Sequence, residues 1–530
     1  MAPDVQQTKT SAPEADRGDP GTLSETGFHT LVCQRAQRLL GLVGFVSDCS
    51  CEQILIRPLL GDLHSQAKEL EELLDAYDAR NNCRWCRFRA LTAALKLFSD
   101  VSYELLHIRH ALPAYRLLPI ERDFAEATRQ TLEFTGGVLI RASKQMLAQS
   151  QELRLQVPES HQREQSFCEQ LPPGRLARDC RAHRTETVSE MVTLLATAFL
   201  NLASDSKDIR AAGRARSEEY ASFLADVVRE ERLRSLELRF HNLQSQYDTY
   251  VAGTLSERQD PDLLVLRGHI SVVFHLFATA TMFAHYYERH ASNQKPCERA
   301  PEYDPLLDRD MLVGVLMNYS IAYIHLYVRC AEHLCRDMLK RYAEVGRLEL
   351  PIPKYRGFHV RPSTLVSKLV LHYGSDVKMS LDNECYDASK PLDLFRANEK
   401  INAVKRRRLA GLVVGERMIP EQITSGDFEA TVRGIVSTLA ERGQVILYER
   451  PVQFPQESAQ KEGPLEERVI SELSRLLILG KIDVDCQVKA AFVGDIRVLA
   501  DIKLLAESGY GEDEYGNNVL LPEKLRYLST

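Results

Sequence analysis

Residues 357–363, Gly-Phe-His-Val-Arg-Pro-Ser, most constrain the fold of this chain, because they combine the signals of a turn and of a helix start. An alternating apolar and polar run at residues 348–352 precedes them, as in a half-buried strand. Pro362 suits the first turn of a helix, where backbone N–H groups have no intrahelical partner. Apolar residues at 365–373 then recur at the spacing of one helical face, and Gly374 is the residue type that most often follows a helix. The sequence therefore predicts a strand, a turn and a helix.

His359 is expected at the N-terminus of that helix, where a negative charge is favoured. Free N–H groups and the positive end of the helix dipole stabilise an anion at such a position. The same dipole disfavours the protonated imidazole, so a lone pair stays available for nucleophilic attack. Once a phosphoryl group is bound, the guanidinium of Arg361 can pair with it. We therefore predict that His359 accepts a phosphoryl group and that Arg361 stabilises it.

The segment 357–362, Gly-Phe-His-Val-Arg-Pro, resembles the active-site region of the histidine-containing phosphocarrier (HPr) family of the sugar phosphotransferase system. The family signature is Gly-Leu/Ile-His-x-Arg-Pro followed by an apolar helix. Residues 375–383 resemble the family's second strand and turn, and residues 426–430 resemble, more weakly, the start of its last helix. The resemblance covers about 100 residues, the size of one small domain. It implies an open-faced β-sandwich that needs no cofactor and accepts its phosphoryl group from a phosphohistidine donor protein such as Enzyme I.

Two regions depart from the family pattern. The family's short second helix and its regulatory serine should lie near residues 389–394, where Ser389 is the nearest hydroxyl, but the spacing is stretched. The segment 393–412 is longer and more helical than the family pattern. The fourth strand has two candidates, residues 412–414 and residues 445–448. The acceptor half of the domain is therefore better defined by the sequence than the other half.

Three hypotheses about function remain open at this stage. The first is a phosphocarrier-like regulator in a phosphotransferase system, whose helical region binds an unidentified target; such a carrier is phosphorylated by a partner and is not itself an enzyme. The chain has no second phosphohistidine signature of the Enzyme I kind. The second is an interaction scaffold that keeps the HPr fold without phosphoryl transfer. The third is an enzyme within the helical region, although nucleotide-binding glycine motifs and a serine nucleophile elbow are absent from the sequence.

The rest of the chain is predicted to be mainly helical. Residues 28–157 and 176–345 show apolar residues three and four apart almost throughout, as in helical bundles, and a polar linker lies between them. The HPr-like domain is expected at 347–452, and residues 464–530 form a short C-terminal extension without an assigned role. The predicted fold class is α+β and multidomain: a large all-α N-terminal bundle, an open-faced β-sandwich and the extension. Residues 1–27 are polar and read as a disordered tail, without the apolar core of a signal peptide.

Two segments, residues 268–287 and 311–328, contain no Asp, Glu, Lys or Arg and approach the length that spans a bilayer. The first carries His269, His275 and His285, and histidines in lipid-facing helices are costly. We therefore interpret both segments as central helices of the bundle, apolar on all sides because they are buried. The sequence thus favours a bundle that does not enter the membrane.

Charge and cysteine content limit the partners of the chain. A net charge of -7 and a pI near 6.2 do not indicate nucleic-acid binding, and the basic run at 405–408 is typical of a solvated helix face or a domain-interface ion pair. Twelve cysteines without a secretory signal favour reduced thiols in the cytoplasm. Cys49-x-Cys51 and Cys83-x-x-Cys86 could together bind zinc, but they lack a glycine-rich knuckle. We therefore expect no metal site.

Overall fold

The computed structural model describes residues 23–158, 187–291, 306–420, 428–448, 463–484 and 486–529. The first 22 residues of the predicted disordered tail at 1–27 and nearly all of the predicted linker lie outside these residues. Residues 25–27 of that tail instead form the start of a helix. The described chain is mostly helical and contains a four-stranded antiparallel sheet, in agreement with the α+β class that the sequence predicts.

The N-terminal part of the described chain is entirely helical. Its helices are α1 Glu25–Arg35, α2 Gln37–Asp48, α3 Cys51–Ile54, α4 Arg57–Ala76, α5 Cys86–Ala111, α6 Phe124–Glu152, α7 Val188–Asp205, α8 Lys207–Ala212, α9 Tyr220–Asp226, α10 Glu230–Tyr250, α11 Leu255–Gln259, α12 Asp262–Tyr286, α13 Arg309–Val315 and α14 Ala322–Arg341. Side-chain caps begin several of them; the hydroxyl of Thr187, for example, accepts a hydrogen bond from the N–H of Glu190 at the start of α7.

The two uncharged segments belong to helices in the interior of this region. The stretches Asp262–His290 and Arg309–Arg341 are long and apolar enough to cross a membrane. However, 78% and 67% of their apolar windows are buried inside the protein. They contact each other and the neighbouring helices α5, α7 and α10. They are therefore core helices, as the sequence predicts.

The sheet is formed by the C-terminal part of the chain. The remaining elements are β1 Val345–Pro351, α15 Val360–Tyr373, β2 Lys378–Leu381, β3 Glu384–Asp387, α16 Pro391–Arg396, α17 Asn398–Gly415, α18 Phe428–Glu441, β4 Val445–Leu447, α19 Leu465–Ile478, β5 Ile482–Val484, β6 Lys489–Asp495 and α20 Ile496–Glu507. The strand order in the four-stranded sheet is β1-β6-β2-β3, antiparallel throughout. Helices α15 and α20 contact each other, and α20 contacts β1 and β6.

The strand that pairs with both β1 and β2 is neither of the two segments that the sequence offered as the fourth strand of the domain. Residues 412–414 lie within α17, and residues 445–447 form β4, which pairs with β5 in a separate two-stranded sheet. The strand between β1 and β2 is β6, where Phe492 lies opposite both Leu348 and Met379. The four-stranded sheet thus includes a strand from residues 464–530, the predicted C-terminal extension. The apolar run of β6, Ala-Ala-Phe-Val at 490–493, is short, and a run of this length is equally compatible with a strand and with a buried helix segment.

The segment between α16 and β6 is an insertion with its own hydrophobic core. Helices α17, α18 and α19 pack with β4 and β5 around buried apolar residues that are separate from the main core. The predicted start of the last family helix, at 426–430, belongs to this insertion: α18 begins at Phe428, and residues 426 and 427 are outside the described chain. The helix that follows the fourth strand of the sheet is α20.

A buried ion pair fixes the insertion internally. Lys405 donates to Asp483 over 2.6 Å, and their side chains are only 2% and 4% exposed. The second carboxylate oxygen of Asp483 accepts the backbone N–H of Arg356, which precedes the turn at 357–363. The basic run therefore contributes one buried ion pair within the insertion and none to a domain interface among these contacts, while Arg407 and Arg408 are exposed.

The helical region and the four-stranded sheet with its helices α15 and α20 share one continuous hydrophobic core. Polar contacts reinforce the junction. Arg497 at the start of α20 donates to the Thr193 hydroxyl over 2.8 Å and to the Leu339 carbonyl over 2.5 Å. His372 near the end of α15 lies 3.0 Å from the Asn201 side-chain oxygen of α7. Both α15 and α20 therefore contact the helical region directly.

We expect Lys405→Met and Asp483→Asn each to lower the free energy of unfolding by about 3–5 kcal/mol, because each leaves the opposite polar or charged group buried without its partner. The double variant should be less destabilised than the sum of the single variants. Urea denaturation of all four proteins, followed by circular dichroism, measures this coupling. Additive single effects would contradict the ion pair.

We also expect acid to weaken the contact between α15 and the helical region, where His372 lies against Asn201. Burial, with the nearby Arg336, lowers the pKa of His372 to about 4 from 6.5. Because the unfolded chain binds this proton first, stability is lost as the pH falls from about 6.5 to 4, by up to about 3 kcal/mol. The free energy of unfolding of His372→Gln should therefore depend less on pH across this range. His333→Gln, at an exposed histidine, should keep the wild-type dependence; equal slopes in both variants would contradict the assignment.

Candidate functional site

His359 is the residue immediately before helix α15. Its backbone is extended, with φ -77° and ψ -169°, and the N–H of Ser363 bonds to its carbonyl oxygen as the first turn closes. The helix begins at Val360 and ends before Gly374, whose φ of 60° is left-handed, as the sequence predicts. The apolar face at 365–373 is buried. This packing holds His359 at the helix N-terminus.

The turn before His359 requires glycine. Gly357 has a φ of +61°, and a Cβ atom on it would lie 2.5 Å from the Asn398 Oδ1 atom of α17. The amide nitrogen of Asn398 in turn donates to the Arg356 carbonyl oxygen over 3.2 Å. The N-terminus of α17 thus supports the turn that orients the histidine.

Both ring nitrogens of His359 face hydrogen-bond acceptors. Nδ1 lies 3.2 Å from the Gly357 carbonyl oxygen. Nε2 lies 3.2 Å from Oε1 and 3.1 Å from Oε2 of Glu512. The Glu512 side chain is 6% exposed, whereas His359 is 20% exposed. The imidazole is therefore covered on one side by a carboxylate from the C-terminal part of the chain.

Arg361 approaches the same carboxylate. Its Nε atom donates to the Gly511 carbonyl oxygen over 3.2 Å and lies 4.0 Å from Oε1 of Glu512. Residue 361 is in the first turn of α15, so the guanidinium and the imidazole project from the same helix end. The structure thus brings together His359 and Arg361, the two predicted site residues, around one negative charge.

Glu512 belongs to a loop at residues 511–519, which we call the cap loop. Tyr510, just before it, is buried and donates its hydroxyl hydrogen to the Pro351 carbonyl oxygen at the end of β1. Within the loop, the Asp513 carboxylate accepts from the backbone and side-chain nitrogens of Asn517 over 2.8 Å. The loop is therefore a compact turn attached to the end of the sheet.

Tyr355 completes the surroundings of the histidine. Its ring packs edge-on against His359 with a centroid separation of 5.3 Å. Gly516 of the cap loop lies against the other part of this ring, so close that a Cβ atom there would be 2.5 Å from it. Lys354 pairs with Glu514 of the same loop over 2.9 Å. Lys354, Tyr355 and His359, which all precede the helix, therefore contact the cap loop.

Ser389 lies apart from this group, in the turn between β3 and α16. Its hydroxyl donates to Oδ1 of Asp387 over 2.6 Å, and its backbone N–H donates to the same oxygen. These hydrogen bonds and the ion pair with Lys390 lower the pKa of Asp387. The structure gives Ser389 a role in holding the turn; its regulatory modification stays a prediction of the resemblance.

Sequence reasoning did not identify Glu512 or Tyr355 as site residues. Glu512 is separated from His359 by 153 positions, and contacts over such a distance have no local signal. The acidic residues of the glycine-rich segment 509–516 were the only indication available. Among the described residues, no group of three or more His, Cys, Asp or Glu side chains is placed to hold a metal ion.

Comparisons with known proteins add no family to this picture. No protein-family model matches the chain, and neither the curated proteins nor the solved structures contain a match.

We expect Gly357→Ala to destabilise the turn by about 1–3 kcal/mol, because it adds left-handed strain and crowds Asn398. Gly443→Ala is a matched control, since Gly443 has a φ of +68° with nothing within 4 Å of its Cβ position. The control should lose only the cost of the backbone strain. Thermal unfolding of both variants tests this, and an equal loss would show that Asn398 does not constrain the turn.

Proposed function

We propose that the protein is an HPr-like phosphocarrier with a regulatory role in a phosphotransferase system, and that it accepts a phosphoryl group on His359. The observation that carries this proposal is the convergence of His359 and Arg361, at the N-terminus of α15, on a single carboxylate. A position that stabilises a carboxylate between an imidazole and a guanidinium also suits a phosphoryl group.

The order of elements supports the proposal. A strand, a helix that begins with the histidine, two strands with a tight turn, a short helix, a fourth strand and a last helix follow one another as the family resemblance implies. The short helix α16 occurs at 391–396, close to the place expected for it. The insertion of α17 to β5 accounts for the segment 393–412 being longer and more helical than the family pattern. The four-stranded antiparallel sheet with α15 and α20 in contact is consistent with an open-faced sandwich.

The neutral imidazole of His359 has one N–H group and one lone pair, and the lone pair is the nucleophile. Nδ1 faces the Gly357 carbonyl oxygen, and Nε2 faces the Glu512 carboxylate. Attack by this lone pair forms the new P–N bond while the P–N bond of the donor phosphohistidine breaks, and the electron pair returns to the donor nitrogen. Transfer between two imidazoles needs positioning and charge stabilisation but no metal-bound water or covalent cofactor. Arg361 stabilises the transferred group.

Contacts at the other end of α15 support a regulatory role over that of a simple carrier. His372 contacts Asn201 of α7, and the Arg336 side chain of α14 donates to the His372 carbonyl oxygen over 3.2 Å. One helix therefore connects the proposed phosphorylation site to the helical region, which is much larger than the sandwich. The helical region is the proposed binding surface for the target protein.

One observation favours a second candidate, a scaffold that keeps the fold without phosphoryl transfer. Both nitrogens of His359 face hydrogen-bond acceptors, and the buried Glu512 carboxylate lies against Nε2. In such a scaffold, the pair of His359 and Glu512 would serve only to attach the C-terminal segment to α15.

We expect incubation with Enzyme I and phosphoenolpyruvate to add one acid-labile phosphoryl group, detected by intact mass. His359→Ala should abolish the label, and Arg361→Ala should slow labelling about ten- to hundredfold through loss of a charge-assisted contact. His333→Ala, at an exposed histidine of α14, is the matched control and should label like the wild type.

A folded wild-type protein that takes no phosphoryl group from the donor, or from a small-molecule donor such as phosphoramidate, would contradict the carrier proposal and leave the scaffold. A label that persists in His359→Ala would place the acceptor elsewhere.

A further inference from the structure

Strand β1 is an edge strand of the four-stranded sheet, since within the described chain it pairs with β6 on one side only. At the two ends of this pairing, the Ile496 N–H donates to the Glu344 carbonyl oxygen and the Ile352 N–H donates to the Val488 carbonyl oxygen. Hydrogen-bonded pairs alternate along an antiparallel ladder, so the even-numbered residues of β1 bond to β6. The odd-numbered residues of 345–349 therefore direct their N–H and C=O groups away from the sheet.

This outer edge of β1 is long and exposed, unlike the opposite edge of the sheet. Val345 is 77% exposed, and the side chains of Arg347 and Glu349 are 66% and 57% exposed. At the opposite edge, β3 has only four residues and is contacted by α16, where the Asp393 carboxylate accepts the backbone N–H of Asp387 over 3.4 Å. A row of backbone groups without a neighbouring strand is a template for pairing with another chain. Of the two edges, β1 is the one that offers such a row.

The sequence of β1 is complementary to itself in one antiparallel register. With Leu348 at a two-fold axis, Arg347 of each copy lies opposite Glu349 of the other copy. Both residues direct their backbone groups outward, so each of these pairs exchanges two N–H···O bonds and sets opposite charges side by side. At the ends, Val345 lies opposite Pro351 of the other copy, and both residues are apolar and exposed. Backbone groups, charges and apolar ends therefore match at the same time.

The neighbouring registers do not match. A shift by one residue places outward-directed backbone groups opposite residues whose own groups already bond to β6. A shift by two residues sets Arg347 against Arg347 of the second copy, or Glu349 against Glu349. Like charges directly opposite each other in a sheet are destabilising. The charges of β1 thus select one register and one kind of partner, a second copy of the same strand.

We infer that β1 is a self-association edge, through which two copies of the chain pair antiparallel and join their four-stranded sheets into one continuous sheet. Leu348, which is half-buried against the main core, meets its symmetry mate at the axis. The inference is independent of the proposed function, since it uses neither His359 nor the cap loop. One strand from each copy buries less than the roughly 1,200–2,000 Å² of a stable interface. The dimer should therefore be reversible, with a dissociation constant in the micromolar range.

Sedimentation velocity of the full chain tests the inference. Between about 1 and 200 μM, a micromolar dimer should shift the mean mass from the 60.1 kDa of the monomer towards twice that value. Arg347→Glu and Glu349→Arg each set like charges opposite each other in both symmetric pairs, so each should weaken dimerisation at least about tenfold. Arg408→Glu, a charge reversal at an exposed position of α17, is the matched control and should dimerise like the wild type.

Two rescue experiments test the register itself. The double variant Arg347→Glu/Glu349→Arg has opposite charges in both pairs again and should dimerise like the wild type. A mixture of the two single variants should also dimerise, because one carries two negative side chains on the edge and the other carries two positive ones. Within one chain, Arg347 and Glu349 form an exposed ion pair over 3.1 Å. Such pairs contribute little to stability, so the single variants should stay folded by circular dichroism.

A wild-type protein that stays monomeric over the whole concentration range would overturn the inference. A dimer that survives both single charge reversals would overturn it as well, because the contact would then lie on another surface. Association that is lost in the single variants and recovered neither in the double variant nor in the mixture would exclude the proposed register. None of these outcomes affects labelling of His359, so failure of this inference is distinguishable from failure of the proposed function.

Hydrogen exchange provides an independent readout of the edge. The outward N–H groups of residues 345–349 should exchange more slowly at high protein concentration, whereas exchange in β3 should not depend on concentration. Equal exchange of the β1 edge at low and high concentration, under conditions where the dimer forms, would contradict pairing through β1.

Discussion

The burial of one face of α15 is the constraint on which the candidate site depends. Its apolar residues between 365 and 373 lie in the main core, which also includes residues of the sheet and of the helical region. Because this face is buried, the position of the whole helix is fixed. His359 and Arg361, at the start of the helix, are therefore held at the edge of the core. The helix dipole and the guanidinium then favour an anion there, and Glu512 provides one.

The insertion shows how much chain can separate two neighbours in a sheet. Strand β6 lies between β1 and β2, although the whole of α17 to β5 precedes it in the sequence. The insertion has its own core, so it can be accommodated between α16 and β6 without disturbing the packing of α15. It also contributes to the site indirectly, because Asn398 and Asp483 hold the backbone of Arg356 just before the turn.

The sequence correctly predicted the helices whose signals, such as periodicity or a terminal glycine, lie within the helix itself or next to it. The periodicity at 365–373 and the glycine at 374 predicted α15 and its end, and the uncharged segments predicted the buried helices α12 and α14. The same approach placed the fourth strand at residues 412–414 or 445–448, which form a helix and part of a different sheet. A short apolar run takes its structure from the strands beside it, and those neighbours are distant in sequence.

The sequence by itself determined that a histidine and an arginine stand at the start of an amphipathic helix, because capping, proline placement and periodicity act within a few residues. The tertiary structure alone decided that Glu512 meets them, since that contact joins positions 153 residues apart. It also decided that the end of α15 contacts α7. The physical reason is the same in both cases: charge pairing and burial depend on distance in space, which chain order does not specify.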